Sequence, residues 1–206
     1  MKITCISDCH GHLPDLKGGD ILAIAGDFSP TCDHSIPFQK EWIENNFNPW
    51  LDSLDFDAIV CVAGNHDFIG EKCPDFMKKT LQCNYLDQSS VTLDGVKFYG
   101  YPHTPWFCDW AFNCQPDELE VVSSNIPDDT NVLITHGPVN GILDVVTEGR
   151  QSESCEHLGD TKLRKRIHHL ENLKLHVCGH IHSGRGKINI NGTTFVNASY
   201  VDESYQ

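Results

Sequence analysis

Five short apolar runs recur along the chain: "KITCIS" from residue 2, "DILAIAG" from 20, "AIVCVAG" from 58, "NVLITHG" from 131 and "LKLHVCG" from 173. Each closes on a polar or glycine-bearing turn. Runs this short and this continuous predict buried β-strands. Between the second and third, apolar residues at 38, 42, 43, 47, 50, 51 and 54 keep a helical spacing, with Pro49 an expected kink. Residues 160–173 predict a second helix, with Asp160 or Thr161 as N-cap and Leu163, Ile167 and Leu170 on one stripe. Two hairpins are expected, at 89–101 turning on Asp94-Gly95 and at 186–199 turning on Asn191-Gly192. Residues 102–130 carry no readable register. Strands alternating with helices, plus hairpins, predict an α/β sandwich with mixed sheets.

Composition narrows the setting. With 206 residues and 39% hydrophobic content, the chain supports one sizeable core, and a single domain over 1–206 is expected. A formal net charge of −14 repels polyanions, so no extended binding along DNA or RNA is expected, while small phosphate esters remain open. The chain runs from Met1-Lys2 straight into a strand-like segment without a signal-peptide pattern, and its apolar runs are too short to span a membrane. Ten cysteines are present without a C-x-x-C, and Cys5, Cys61 and Cys178 sit inside strand-like runs where a thiol acts as a small hydrophobe. Free thiols and a cytoplasmic location are therefore expected.

The chemistry lies at the C-terminal end of each run. "ISDCHG" brings Asp8 and His10, "IAGDFS" brings Asp27, and "VAGNHD" brings Asn65, His66 and Asp67; "ITHGP" adds His136, and "CGHIHSG" adds His180 and His182. Singly, each has an ordinary reading as a turn residue, a cap or a satisfied histidine. Together, five strand ends bearing Asp, Asn or His are expected to converge on one sheet edge, where open α/β folds build their sites.

The ordered set "DCH", "GD", "GNHD", "THG" and "GHIH" resembles the calcineurin-like metallophosphoesterases over residues 8–182. "HTPWFCDWAFN", "GHIHSGRG" and "FVNASYVDE" are similar to the small metallophosphoesterase-domain-containing branch, whereas "GDFSPTCD" lacks the signature of the Ser/Thr protein phosphatases. The resemblance implies a four-layer α/β/β/α sandwich with two mixed β-sheets. It implies two divalent metals: Asp8, His10 and His182 for the first, Asn65, His136 and His180 for the second, and Asp27 bridging. It also implies a non-ligand His66 that contacts the phosphoryl group, and hydrolysis of small phosphodiesters, cyclic nucleotides among them, by a metal-bridging hydroxide. A nuclease, a phosphomonoesterase or a weakly active nucleotide sensor would use the same residues.

Physical chemistry adds detail. Imidazole, carboxylate and amide oxygen without thiolate suit Mn, Fe, Co, Ni or Zn, with Mn the favoured assignment. Two dications against two carboxylates and a hydroxide leave about one positive charge, which suits a monoanionic diester. Asp67 is expected either to orient the His66 imidazole or to cap a turn. Cys9 and Cys178, next to ligands, should point away from the site. His176 is expected to be structural, His12 and His103 lie near site-forming loops, and Arg150 or Arg185 could reach a phosphate. The aromatic segment 101–113 is either core packing or an apolar wall against a nucleobase. "KLRKRIHH" reads as a solvated basic face.

Overall fold

The computed structural model describes residues 1–146 and 156–206. In chain order the strands are β1 (Ile3–Ile6), β2 (Gly19–Ala25), β3 (Phe56–Val62), β4 (Asn84–Tyr85), β5 (Ser89–Leu93), β6 (Val96–Tyr101), β7 (Thr104–Pro105), β8 (Asn113–Cys114), β9 (Val132–Thr135), β10 (Leu175–Cys178), β11 (Gly186–Ile190) and β12 (Thr193–Asn197). The helices are α1 (Ile36–Trp42), α2 (Asn48–Ser53), α3 (Phe68–Lys72), α4 (Pro74–Thr80), α5 (Pro116–Ser124) and α6 (Thr161–Ile167). All five apolar runs form strands. Among the described residues no helix is long and apolar enough to cross a membrane, and the described cysteines are free.

Strands β1 to β4 form one sheet in sequence order, and a six-stranded sheet runs β11-β12-β10-β9-β6-β5. Alternation along the strands divides the core. Leu22, Ile24 and Cys61 face outward onto Trp42, Phe47 and Trp50 of the α1–α2 segment. Ile21, Ala23 and Val62 face inward and meet Phe98, Ile134 and Val177 of the second sheet. The opposite face of that sheet, through Tyr99, Leu133 and Phe195, packs on Val122, Leu163 and Leu170 at α5, α6 and the turn beyond. These three interfaces make the four-layer α/β/β/α sandwich. The expectation of two mixed sheets needs one correction. The four-stranded sheet is parallel throughout, because every connection in it crosses over the outside of the sheet; the other sheet is mixed, with its hairpins at the two edges.

Local chemistry accounts for the boundaries. Between α1 and α2 the backbone widens into a π-helical turn, Ile43–Phe47, immediately before Pro49. The wider turn continues the helix past a residue that cannot donate and whose ring would crowd the preceding turn. Asp160 caps α6, accepting from the backbone N–H groups of Lys162 (2.7 Å) and Leu163 (3.1 Å). The regular helix ends at Ile167 and the expected remainder to 173 is a series of tight turns. Both hairpin turns place their two central residues at positive φ, 49° and 78° at Asp94-Gly95 and 52° and 89° at Asn191-Gly192, the geometry that matches strand twist. Residues 102–130 hold the β7–β8 pair and α5, which opens with Gln115 and Glu118 in a reciprocal cap.

His176 is the core histidine the sequence suggested. It is 1% exposed, lies 2.8 Å from the Thr135 hydroxyl, and burial holds it neutral, down to about 3. The unfolded chain takes up a proton there below about pH 6.5 that the native fold resists, so this contribution to stability is lost as pH falls. Between pH 7 and pH 4.5 the loss amounts to about 2–3 kcal/mol. Urea unfolding at the two pH values should show a drop larger by that amount in the natural chain than in His176→Phe; equal drops would exclude the assignment.

Candidate metal centre

Strands β1, β2 and β3 end at Asp8, Asp27 and Asn65, while β9 and β10 end at His136 and His180. The expected single edge is therefore two: the C-terminal edges of both sheets face one another. A parallel bridge between Ser7 and Ser199 ties them together. The turns carry backbone strain, with Asp8, His10, Asp27 and His180 at φ of 52°, 44°, 52° and 68°. Left-handed backbone at four non-glycine residues persists only where the surroundings impose it. Two glycines let the loops close. A Cβ on Gly64 would lie 2.3 Å from Asp27 Oδ1, and one on Gly179 would lie 1.9 Å from Asp8 Oδ2.

Asp27 is the central carboxylate. Its Oδ2 is 3.2 Å from His136 Nε2 and 3.9 Å from His10 Nε2, and its Oδ1 accepts the His66 backbone N–H at 2.7 Å. On one side Asp8 Oδ1 is 3.3 Å from His182 Nε2, which is 3.4 Å from His10 Nε2. On the other, Asn65 Oδ1 is 2.8 Å from His136 Nε2, and the His180 ring stands 5.1 Å from that of His136. Among the described residues, two groups have donor atoms converging closely enough to hold a metal: Asp8, His10 and His182, and Asp8, Asp27 and His136. Asp8 thus reaches toward both groups, where the resemblance placed it with the first alone.

The tautomers suit a cation. His136 and His182 each direct Nδ1 at a backbone carbonyl, Ala25 and Asp202 respectively, both at 2.8 Å. A carbonyl accepts, so each Nδ1 carries the proton and each Nε2 faces the carboxylates, the orientation that ligating histidines take from their outer partners. Carboxylate oxygen and Nε2 lone pairs facing each other require a proton or a metal between them. In the protein alone the electrostatics supply protons. Burial opposes charge at His136 and His182, but Asp27 and Asp8 outweigh it and raise both to about 9. Burial likewise pushes Asp8 up, yet the hydrogen bond from His182 and the charge of His136 bring it down to about 2. Burial dominates at His10 and His180, lowering them to about 4 and about 3.

His66 stands at the mouth of this centre, its ring 5.2 Å from His10. The expectation that Asp67 orients its imidazole is not met. The Asp67 carboxylate turns the other way and accepts backbone N–H groups of Asp27 (2.8 Å), Ser29 (2.9 Å) and Gly64 (2.8 Å). Successive side chains leaving β3 diverge, so the neighbour in sequence became the clasp of the loops. Burial and then the charge of Asp27 push Asp67 up to about 7. The His66 ring instead meets His34, whose Nε2 is 3.0 Å from its Nδ1 and whose own ring stacks on Phe68. Sequence reasoning passed over His34, which lies in a loop without a motif.

The remaining candidates divide. Cys9, in the turn after β1, packs into the core at 1% exposure, and Cys178, at the end of β10, is buried at 2%. His12 Nε2 approaches the Tyr205 carbonyl at 3.2 Å, His103 is away from the centre beside Phe112, and Arg185 donates to the Tyr200 carbonyl. Arg150 lies outside the described residues. The aromatic segment divides: Tyr101 and Phe112 are buried, while Trp106 and Phe107 are more than half exposed. Together with Trp110, 4.5 Å from the His66 ring, these exposed rings line a cavity of about 320 Å³ that opens from Asp27, Asn65 and His180.

The chain resembles known proteins in sequence and in fold. The chain is 33% identical over 232 aligned residues to human metallophosphoesterase domain-containing protein 1, covering 100% of this chain and 68% of that protein. The fold resembles that of the phosphopantetheinyl hydrolase PptH of Mycobacterium tuberculosis, at a TM-score of 0.55 and 14% identity over 98% of this chain and 90% of that one. It also resembles a putative 5′-nucleotidase of Staphylococcus aureus, at 0.56 and 14% over 95% and 48%. Residues 1–184, from β1 through the histidines after β10, match the calcineurin-like phosphoesterase profile, and the chain belongs to that family.

Proposed function

We propose that this protein is a dinuclear metal-dependent phosphodiesterase acting on small phosphodiesters, cyclic nucleotides among them. The observation that carries the reading is the placement of Asp27 Oδ2 between His136 and His10, one carboxylate oxygen addressing both groups of ligands. In this reading Asp8, His10 and His182 hold one ion, Asn65, His136 and His180 the other, and Asp27 bridges them. When bound, two such cations, Mn or another of the Fe, Co, Ni and Zn series, supply Lewis-acid charge and an activated water.

The chain's own residues do the rest. Asp8 and Asp27 neutralise part of the charge, leaving a positive excess that draws a phosphate ester into a protein of net charge −14. Asn65, held at His136, and the strained turns fix donor positions in advance of binding, so little reorganisation accompanies substrate entry. His66, with its backbone tied to Asp27 and its Nδ1 held by His34, is placed to donate a proton to the leaving oxygen. Asp67 acts one layer behind by holding the loops of Asp27 and Asn65 together. The aromatic side of the cavity suits a nucleoside or aromatic ester group. The free thiols of the described cysteines support placing the protein in the cytoplasm.

Protein reconstituted with Mn should hydrolyse bis-p-nitrophenyl phosphate faster than p-nitrophenyl phosphate. Faster cleavage of the monoester would make it a phosphomonoesterase, and two bound metals without turnover would make it a sensor. In Asp27→Ala the metal content should fall below two ions per chain, measured by plasma emission after desalting; retention of two tight ions would remove the bridge. His66→Ala should keep both metals yet lower kcat by about 10²–10⁴-fold, the scale of losing a general acid, and an unchanged kcat would take His66 out of the reaction.

A further inference from the structure

Residues 200–206 follow the last strand and lie beyond the part of the chain that matches the family profile, yet they are built into the metal centre. The Asp202 carbonyl accepts from His182 Nδ1 at 2.8 Å. The Glu203 carboxylate accepts the Ser183 backbone N–H at 2.9 Å. The Tyr205 carbonyl lies 3.2 Å from His12 Nε2. The turn is also closed on itself: the Asp202 carboxylate accepts from the N–H groups of Ser204 (2.8 Å) and Gln206 (3.1 Å), and Tyr205 N–H donates to the Asp202 carbonyl at 3.0 Å. Asp202 therefore orders the turn with its side chain and orients a candidate ligand with its backbone.

This ordering delivers one side chain to the cavity. Tyr205 takes a left-handed backbone, φ 59°, a conformation a bulky residue adopts only when its surroundings impose it. Its ring stands nearly perpendicular to three imidazoles, with centroids 4.6 Å from His10, 5.7 Å from His182 and 6.3 Å from His66. It remains 38% exposed and lines the same cavity as Trp106, Phe107 and Trp110. A half-open tyrosine ring on the centre side and three aromatic rings from the loop between β7 and β8 leave a space whose polar end is the ligand set and whose walls are π-faces. Such walls take a flat aromatic group with little regard to its hydrogen-bonding pattern.

We propose that Tyr205 is a substrate-binding residue that selects phosphoesters carrying a planar aromatic group such as a nucleobase, and that the 200–206 turn is the working part of the site that presents it. The inference rests on the phosphoesterase reading for the position of the phosphate, but its test is read by binding.

The experiment is isothermal titration of the Mn-loaded full chain with adenosine 5′-monophosphate and with ribose 5-phosphate, which share a phosphate and a sugar and differ in the base. Adenosine 5′-monophosphate should bind the natural chain more tightly than ribose 5-phosphate. Tyr205→Ala should weaken the nucleotide about 5- to 30-fold, the scale of one lost stacking partner, and leave ribose 5-phosphate within about twofold. Tyr205→Phe should restore nucleotide binding, and metal content and thermal unfolding should be unchanged in both variants. Equal weakening of both probes would make Tyr205 a support of the metal centre and overturn the proposal, as would unchanged nucleotide affinity in Tyr205→Ala. If the natural chain itself does not distinguish the two probes, the aromatic-substrate assignment falls with it while the metal-dependent hydrolysis stands on its own assay; if the chain takes up no metal, the phosphoesterase reading is what fails.

Discussion

The carboxylate of Asp27 is the constraint on which the rest of the architecture depends. It is 2% exposed and makes contact with three strand ends: the His66 backbone after β3, the His136 ring after β9 and, at longer range, the His10 ring after β1. A buried carboxylate is costly unless its oxygens are fully occupied. The fold meets that cost by bringing two sheets edge to edge around it. The glycines before Asn65 and His180, the left-handed turns and the backward-facing Asp67 are all conditions for the same approach. The four-layer sandwich in this sense is the scaffold that allows two parallel strand edges to meet without a helix or loop between them.

The same charge sets the electrostatics of the candidate metal centre. Burying Asp8 and Asp27 together would be untenable if both stayed bare. The histidines around them answer with protons in the protein alone, and divalent ions would answer more strongly, since they carry twice the charge and need no N–H geometry. The carbonyl partners of His136 and His182 settle which nitrogen faces inward before any ion arrives. The spacing between these donors is held by strained backbone.

Much of this was legible in the chain. The five apolar runs and their terminal Asp, Asn and His residues are local signals, and each predicted strand and hairpin turn rests on neighbours a few positions apart. What escaped was of two kinds. Short elements with weak punctuation were missed: α3 and α4 are parted by Pro74, and α5 is capped by Gln115, an uncommon N-cap residue. Partnerships made by the fold rather than by spacing were missed as well. His34 reaches His66 across 32 positions, and Tyr205 reaches His10 across nearly the whole chain. Asp67 failed in the opposite way, because adjacency to His66 in sequence suggested a contact that strand geometry sends to opposite sides. The convergence on one sheet edge was an error of the same origin, since the pattern of strand ends does not say which sheet each strand joins.

The Ser199 hydroxyl, 2.9 Å from Asp8 Oδ2 across 191 positions, has a consequence for the order of folding. The enclosure of Asp8 needs a residue far along the chain from it. Contacts of such sequence separation form late, because the loop between them must close first. Until that loop closes, Asp8 and the imidazoles around it have no fixed spacing. The surroundings of Asp8 are complete only once β12, which leads into Ser199, is in place. Assembly of the donor set around Asp8 is thereby a late step of folding rather than an early one.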